Sequence, residues 1–195
     1  MSQPATLVER LTTPQSTSLI GELTALANAA NYNVVDVIKQ VRYRDSRYQI
    51  GRGKANEILN SVNDHLVQKV IFENELSPVQ AYNLAKLIGI EVIDKFQLIL
   101  DVFSKHASTN EARLQIKLAA LKYELTRAKE KVRLARLGEQ PGFHGLGKYE
   151  VTVYHESIRR QIATIEKKLQ KIRAAKDLLI FSRNESGFPL ISLSG

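Results

Sequence analysis

The chain has no cysteine. No disulfide can staple it, no thiolate can hold zinc, and no cysteine nucleophile is available; such a composition suits the cytoplasm. Histidine is almost as scarce, and the four present (His65, His106, His144 and His155) are not spaced as ligand pairs, so no metal site is expected. No apolar run approaches the roughly 20 residues that span a bilayer. The N-terminal MSQPATLVER lacks the basic-then-apolar order of a secretory signal, so no membrane partner is expected. There is no GxSxG, no HExxH, and the carboxylates are scattered among basic neighbours. No catalytic residue is assigned.

What the chain does have is ordinary bulk and unusual placement of charge. Its 195 residues, 44% hydrophobic and 25% charged, suit one soluble domain or two small ones with a real core. The formal net charge is +8. Residues 110–177 hold 16 Lys and Arg against 8 Asp and Glu, residues 1–109 hold 11 of each, and residues 178–195 one of each. The whole excess therefore sits on one stretch, which points to a polyanionic partner more firmly than a uniformly basic composition would.

That stretch reads as two long helices. Leu114, Leu118, Leu121, Leu125, Ala128, Val132 and Ala135 step by four and three along the first. Ile158, Ile162, Ile165, Leu169 and Ile172 repeat the pattern in the second, which extends to Leu179. Between them Gly138, Pro141, Gly142, Gly145 and Gly147 break any helix, and a loop this short returns the second helix antiparallel. Arms of about 25 residues, at 1.5 Å each, would hold the tip roughly 35 Å from the rest. The tip loop, 138–148, is flanked by Arg133 and Arg136 before it, His144 and Lys148 within it, and Arg159 and Arg160 after it. Glycine backbone with flanking cations suits insertion among RNA phosphates and bases, and these six are the candidate RNA-binding residues. Because each arm fills the other's seam, the chain is expected to be monomeric.

Residues 1–109 alternate short β-rich runs with helical ones. Strands are expected at 6–11, 34–41, 69–72 and 90–93, and helices at 19–30, from Gly51 with Ile58, Leu59, Val62 and Leu66 on one face, at 78–88, and at 94–104. Ser18 is read as a helix cap, residues 42–49 as charged and flexible, Ser77-Pro78 as a helix start and Gly89 as a stop. Ser108 and Glu111 are read as a capping box for the first long arm. Strands alternating with helices argue for a parallel sheet. The expected fold is α/β, a small four-stranded parallel sheet with helices over 1–109. A helical hairpin follows over 110–177, then a polar turn at 182–187 and a further strand at 188–193.

Gly51, Arg52, Gly53 and Lys54 lie between a strand and a helix. They fit either a phosphate cradle built on Gly51, Gly53 and Lys54 or a tight turn needing glycine torsions; the third glycine of a dinucleotide fingerprint and the P-loop spacing are absent.

Several of these residues together match a known pattern. Leu98-Ile99-Leu100-Asp101-Val102-Phe103 followed by Asn110-Glu111-Ala112-Arg113-Leu114-Gln115 resembles the signature of HflX-type GTPases. Ile50-Gly51-Arg52-Gly53-Lys54 resembles that family's IGKGK, Phe72-Glu73-Asn74-Glu75-Leu76-Ser77-Pro78 its FDDELSP, and Ile158-Arg159-Arg160-Gln161-Ile162 its IRRRI. One departure is that Gly145-Leu146-Gly147-Lys148 stands where the family commonly has GPGE, which points to an archaeal-type branch.

The resemblance implies an N-terminal domain preceding a Ras-like GTPase domain. It implies binding to the large ribosomal subunit, with the hairpin tip near the peptidyl-transferase region, and in some members separation of the subunits. It implies that residues 188–195 begin the GTPase domain and that Gly195 is the first glycine of its P-loop. GTP and Mg would then serve the full-length protein, no cofactor would be held by these 195 residues, and GTP hydrolysis is not expected from them alone. Two rival readings remain: an α/β unit binding nucleotide through the turn at 51–54, and a coiled-coil module binding only a protein partner.

Overall fold

Four short strands with helices between them wind into one sheet in the computed structural model, which describes residues 2–136, 148–185 and 187. In chain order these are β1 (Gln3–Leu11), α1 (Ile20–Ala29), β2 (Tyr32–Val41), α2 (Arg52–His65), β3 (Lys69–Phe72), α3 (Pro78–Ile88), β4 (Glu91–Asp94) and α4 (Lys95–His106). Two long helices follow, α5 (Asn110–Arg136) and α6 (Lys148–Glu185). The strand order is β2-β1-β3-β4, all parallel, with Leu7 level with both Val37 and Ile71 and Ile71 level with Ile93. The α/β class and the hairpin are as the sequence implies.

Successive side chains of a strand point to opposite faces, and this sorts the core into two layers. Ala5 and Leu7 of β1 join Ile71 and Ile93 under α1 and α4, packed by Leu23, Ala27 and Leu98. Val8 turns the other way and joins Val70 and Phe72 under α2 and α3, packed by Ala55, Ile58, Val62, Leu84 and Ile88. The connection from β1 to β2 runs on one face and those from β2 to β3 and β3 to β4 on the other, as crossovers of one hand require when the winding direction reverses.

Local signals set several boundaries. Ser77 caps α3 in a reciprocal box with Gln80, Pro78 opens the helix, and Gly89 ends it with φ +83°. Asp94 caps α4 in a second box with Gln97. Other boundaries are set by distant residues. Ser18 does not cap α1. Instead the buried Glu9 carboxylate of β1 accepts from the Ser18 hydroxyl and the Leu19 N–H, both at 2.6 Å, with Lys39 at 3.7 Å. A negative group at a helix N-terminus is favourable there. Leu66 is not on the buried face of α2: it takes φ +50° after the helix and is 81% exposed, and Val67 fills the core in its place. Thr109, not Ser108, caps α5, its hydroxyl accepting from the Ala112 N–H at 3.1 Å. Glu111 reaches across the hairpin to Lys176.

The hairpin seam forms as its periodicity requires. Leu121 and Ala128 are buried against Ile158, Ile162 and Ile165, with Leu114, Leu118, Leu125 and Leu169 beside them. The side chains of Val132 and Ala135 lie outside the described residues. Ile172 is not among the residues that close this cluster, and Leu179 is 59% exposed, so the seam ends well before the chain leaves α6. That helix continues to Glu185 where a polar turn from 182 is expected. Residues 188–195, including the expected strand and Gly195, lie outside the described residues.

Candidate nucleic-acid interface

The lower half of the hairpin is docked rather than free. Asp94, at the end of β4 and almost fully buried, accepts from the Tyr123 hydroxyl of α5, from the Leu76 N–H at 3.3 Å and from the Gln97 N–H at 3.2 Å. Arg127 lies 3.8 Å from the same carboxylate, donates to the Tyr123 hydroxyl at 2.5 Å and stacks over its ring at 4.5 Å. Phe96 stacks on the other partner of this junction, its ring 4.5 Å from that of Tyr123. Burial, and then the Asp94 carboxylate, hold the Tyr123 hydroxyl well above its usual range. Arg127 is the last residue of α5 that a hydrogen bond or ion pair ties to the sheet, among the described residues. From there to Arg136, the last described residue of α5, is about 14 Å at 1.5 Å per residue, and the tip beyond it lies outside the described residues.

Cross-hairpin ion pairs, Glu111 with Lys176 and Lys122 with Glu166 at 2.8 Å, set residues 110–122 level with 166–176. Tyr154 donates to Glu124, and burial followed by that carboxylate raises its hydroxyl too. The cations on the outside of α6 are a different population. At about 100° per residue, Arg160, Lys167 and Lys171 point roughly opposite the seam, Arg159 and Lys168 lie on the two opposite sides of the helix, and Arg173 lies nearer the seam. Arg160 pairs with Glu156 at 3.2 Å. The other five are exposed and, among the described residues, have no acidic partner.

The residues singled out from the sequence fall in three groups. Arg159 and Arg160 lie on α6 level with Arg127, about 9 Å along the axis from Arg133; they belong to the shaft rather than to the tip. Arg133, Arg136 and Lys148 are in helical backbone at the ends of α5 and α6, and their side chains lie outside the described residues, as do His144 and the rest of 138–147. The exposed cations Lys167, Lys168, Lys171 and Arg173 were legible only as a charge count, because a pairing across the hairpin had first to set Lys122 and Lys176 apart from them.

At the turn into α2, the Gly51 N–H donates to Gln40 Oε1 at 2.8 Å, Lys54 pairs with Glu57 at 2.6 Å, and Gly53 is open on its outer side. Neither glycine uses a left-handed torsion: Gly51 has φ −69°, and the left-handed residue of this turn is Gln49 at +69°. A Cβ at Gly51 would fall 2.2 Å from the Arg42 guanidinium, the far end of a flexible side chain that would have to move aside. Among the described residues no group of three or more His, Asp and Glu converges as a metal site, and no helix is long and apolar enough to cross a membrane.

Residues 17–104 match the family described as GTP-binding GTPase N-terminal, and residues 106–183 the one described as GTP-binding GTPase Middle Region. The chain is 52% identical to the GTPase HflX of Methanocaldococcus jannaschii over 154 residues, covering 79% of this chain and 38% of that protein. It is 44% identical to the GTPase HflX of Thermofilum pendens over 194 residues, covering 99% and 46%. The chain thus spans less than half the length of these relatives. Its fold is similar to a crystal structure of a GTP-binding protein from the hyperthermophilic archaeon Sulfolobus solfataricus in complex with GDP, with TM-score 0.65 at 26% identity, covering 88% of this chain and 46% of that one. A structure of SsGBP with GDP is similar at TM-score 0.68 and 28% identity, covering 90% and 45%.

Proposed function

Since the chain belongs to the HflX family of GTPases and carries that family's N-terminal and middle regions, we propose that it is the part of such a protein that binds ribosomal RNA of the large subunit, in the cytoplasm, with the hairpin as the contacting element. The observation that carries this reading is the division of the hairpin's charges. Lys122 and Lys176 are paired with acids across the hairpin and Arg127 with Asp94, whereas Arg159, Lys167, Lys168, Lys171 and Arg173 are exposed and, among the described residues, have no acidic partner. Exposed cations without acidic partners on a long helix are suited to a phosphate backbone. The docked base matters as much: a prong fixed to the sheet through Asp94 presents its tip in one direction.

The tip loop 138–148, with Arg133, Arg136, His144 and Lys148, is proposed to enter the peptidyl-transferase region. The full-length protein is proposed to bind GTP with Mg, to hydrolyse it and to act on ribosomal subunits; none of the residues described above is assigned a step in that hydrolysis. Sedimentation with purified large subunits across a salt series tests the RNA reading. Binding should weaken as salt rises and should weaken further when Arg133, Arg136, Arg159 and Arg160 are neutralised together. Equal cosedimentation of wild type and that variant at every salt concentration would remove the hairpin from the interface.

A further inference from the structure

Residues 42–52 are net cationic, Arg42, Arg44, Arg47 and Arg52 standing against Asp45 alone, inside a half of the chain whose remaining residues are net acidic, with 7 Lys and Arg against 10 Asp and Glu. They follow β2 at the C-terminal edge of the parallel sheet. The sequence pattern suggests a flexible segment, but the structure holds it tightly. The Asp45 carboxylate accepts from the Arg47 and Tyr48 N–H groups at 2.8 and 2.9 Å, and Asp45 and Gln49 exchange backbone bonds. From α3, Gln80 donates to the Asp45 carbonyl at 2.6 Å and Asn83 to the Arg47 carbonyl at 3.1 Å. Arg10 Nη1 of β1 donates to the Arg42 carbonyl at 2.9 Å.

This fixed backbone displays side chains that no core needs. Tyr43 is 78% exposed. Asp45 is spent on the turn and on Arg42, 3.7 Å away. Arg44 meets only the neutral Gln80 amide oxygen, Arg47 lies over the Tyr48 ring, and Arg52 has no acidic partner among the described residues. An exposed aromatic ring in the same short segment as three guanidinium groups without acidic partners, on a loop already ordered, matches the requirements of an unpaired nucleotide strand. The ring stacks a base, the cations follow the backbone, and little ordering entropy remains to be lost on binding.

We propose that residues 42–52 form a second RNA contact, separate from the hairpin, which takes single-stranded RNA by stacking a base on Tyr43 and holding flanking phosphates with Arg44, Arg47 and Arg52. It extends the reading above to the sheet unit and stands on different residues.

Ultraviolet cross-linking of the intact chain to an oligouridine of roughly ten nucleotides, with the adducts mapped by mass spectrometry, reads position rather than affinity alone. Adducts are expected on Tyr43, absent with a duplex of the same length, and retained when Arg133, Arg136, Arg159 and Arg160 are neutralised. Tyr43→Ala combined with Arg44→Ala and Arg47→Ala should weaken oligouridine binding about tenfold or more with an unchanged circular dichroism spectrum. Adducts confined to 110–185 would overturn this proposal and leave the hairpin reading standing. Adducts confined to 42–52 would support it and count against the hairpin. No adduct in either region would overturn both.

Discussion

The hydroxyl of Tyr123, midway along the first hairpin helix, donates to the carboxylate of Asp94 at the end of the last strand. The same carboxylate caps α4 and holds the Leu76 N–H. One buried side chain therefore ends a strand, starts a helix and fastens the prong.

Removing either partner should cost different amounts. Tyr123→Phe keeps the Phe96 stack and loses two hydrogen bonds to charged groups, the one donated to Asp94 and the one accepted from Arg127, for about 2 kcal/mol. Asp94→Ala also loses the cap and strands the Leu76 N–H and Arg127, for about 3 kcal/mol. Urea unfolding measures both. A double-mutant cycle should show coupling above about 0.5 kcal/mol, and strict additivity would mean that the pair does not interact.

Alkaline pH should loosen the hairpin. Tyr123 and Tyr154 both have hydroxyls raised by burial and by a neighbouring carboxylate, Asp94 and Glu124. A group whose folded value is raised keeps its proton in the fold after the unfolded chain has lost it. Stability is therefore fully present below the unfolded value of about 10 and falls as pH climbs above it. Thermal unfolding between neutrality and strongly alkaline pH should show this decline, and Tyr123→Phe with Tyr154→Phe should flatten it. An unchanged slope in the double variant would contradict the assignment.

The two glycines that open α2 should part company. Gly53 lies inside the helix with open space around its Cβ position, so Gly53→Ala should stabilise by about 0.5–1 kcal/mol. Gly51→Ala must displace the Arg42 guanidinium from its place beside Asp45, and should be neutral or mildly destabilising. Melting temperatures of the two variants decide it; equal shifts would show that the Arg42 contact is immaterial.

Much of the fold was legible because its signals are local. Ser77, Pro78 and Gly89 mark α3 with no help from the rest of the chain, and the four-three spacing from Leu114 to Ala128 is enough to pair α5 with α6. What was missed depends on contacts far apart in sequence. No pattern near Ser18 says that Glu9 on a strand will serve α1 in its place. Nothing within α5 says that Tyr123 and Arg127 will turn toward Asp94. The loop at 42–49 looked flexible because its composition is polar, and its order comes from Gln80 and Asn83 on a helix more than thirty residues later. Of the candidate RNA-binding set, Arg159 and Arg160 were read from the sequence as flanking the tip loop, and their position on the shaft follows only from the cross-hairpin register.

The most direct measurement uses the absence of native cysteine. A single cysteine replacing Lys168 on α6, tethered to an iron chelate, generates hydroxyl radicals that cut nearby RNA in a complex with large ribosomal subunits. Cleavage of large-subunit rRNA from this position, and much weaker cleavage from a cysteine replacing Asp64 on α2, is the predicted result. Equal cleavage from both positions, or none from α6 while the complex still forms, would contradict a hairpin that lies against ribosomal RNA.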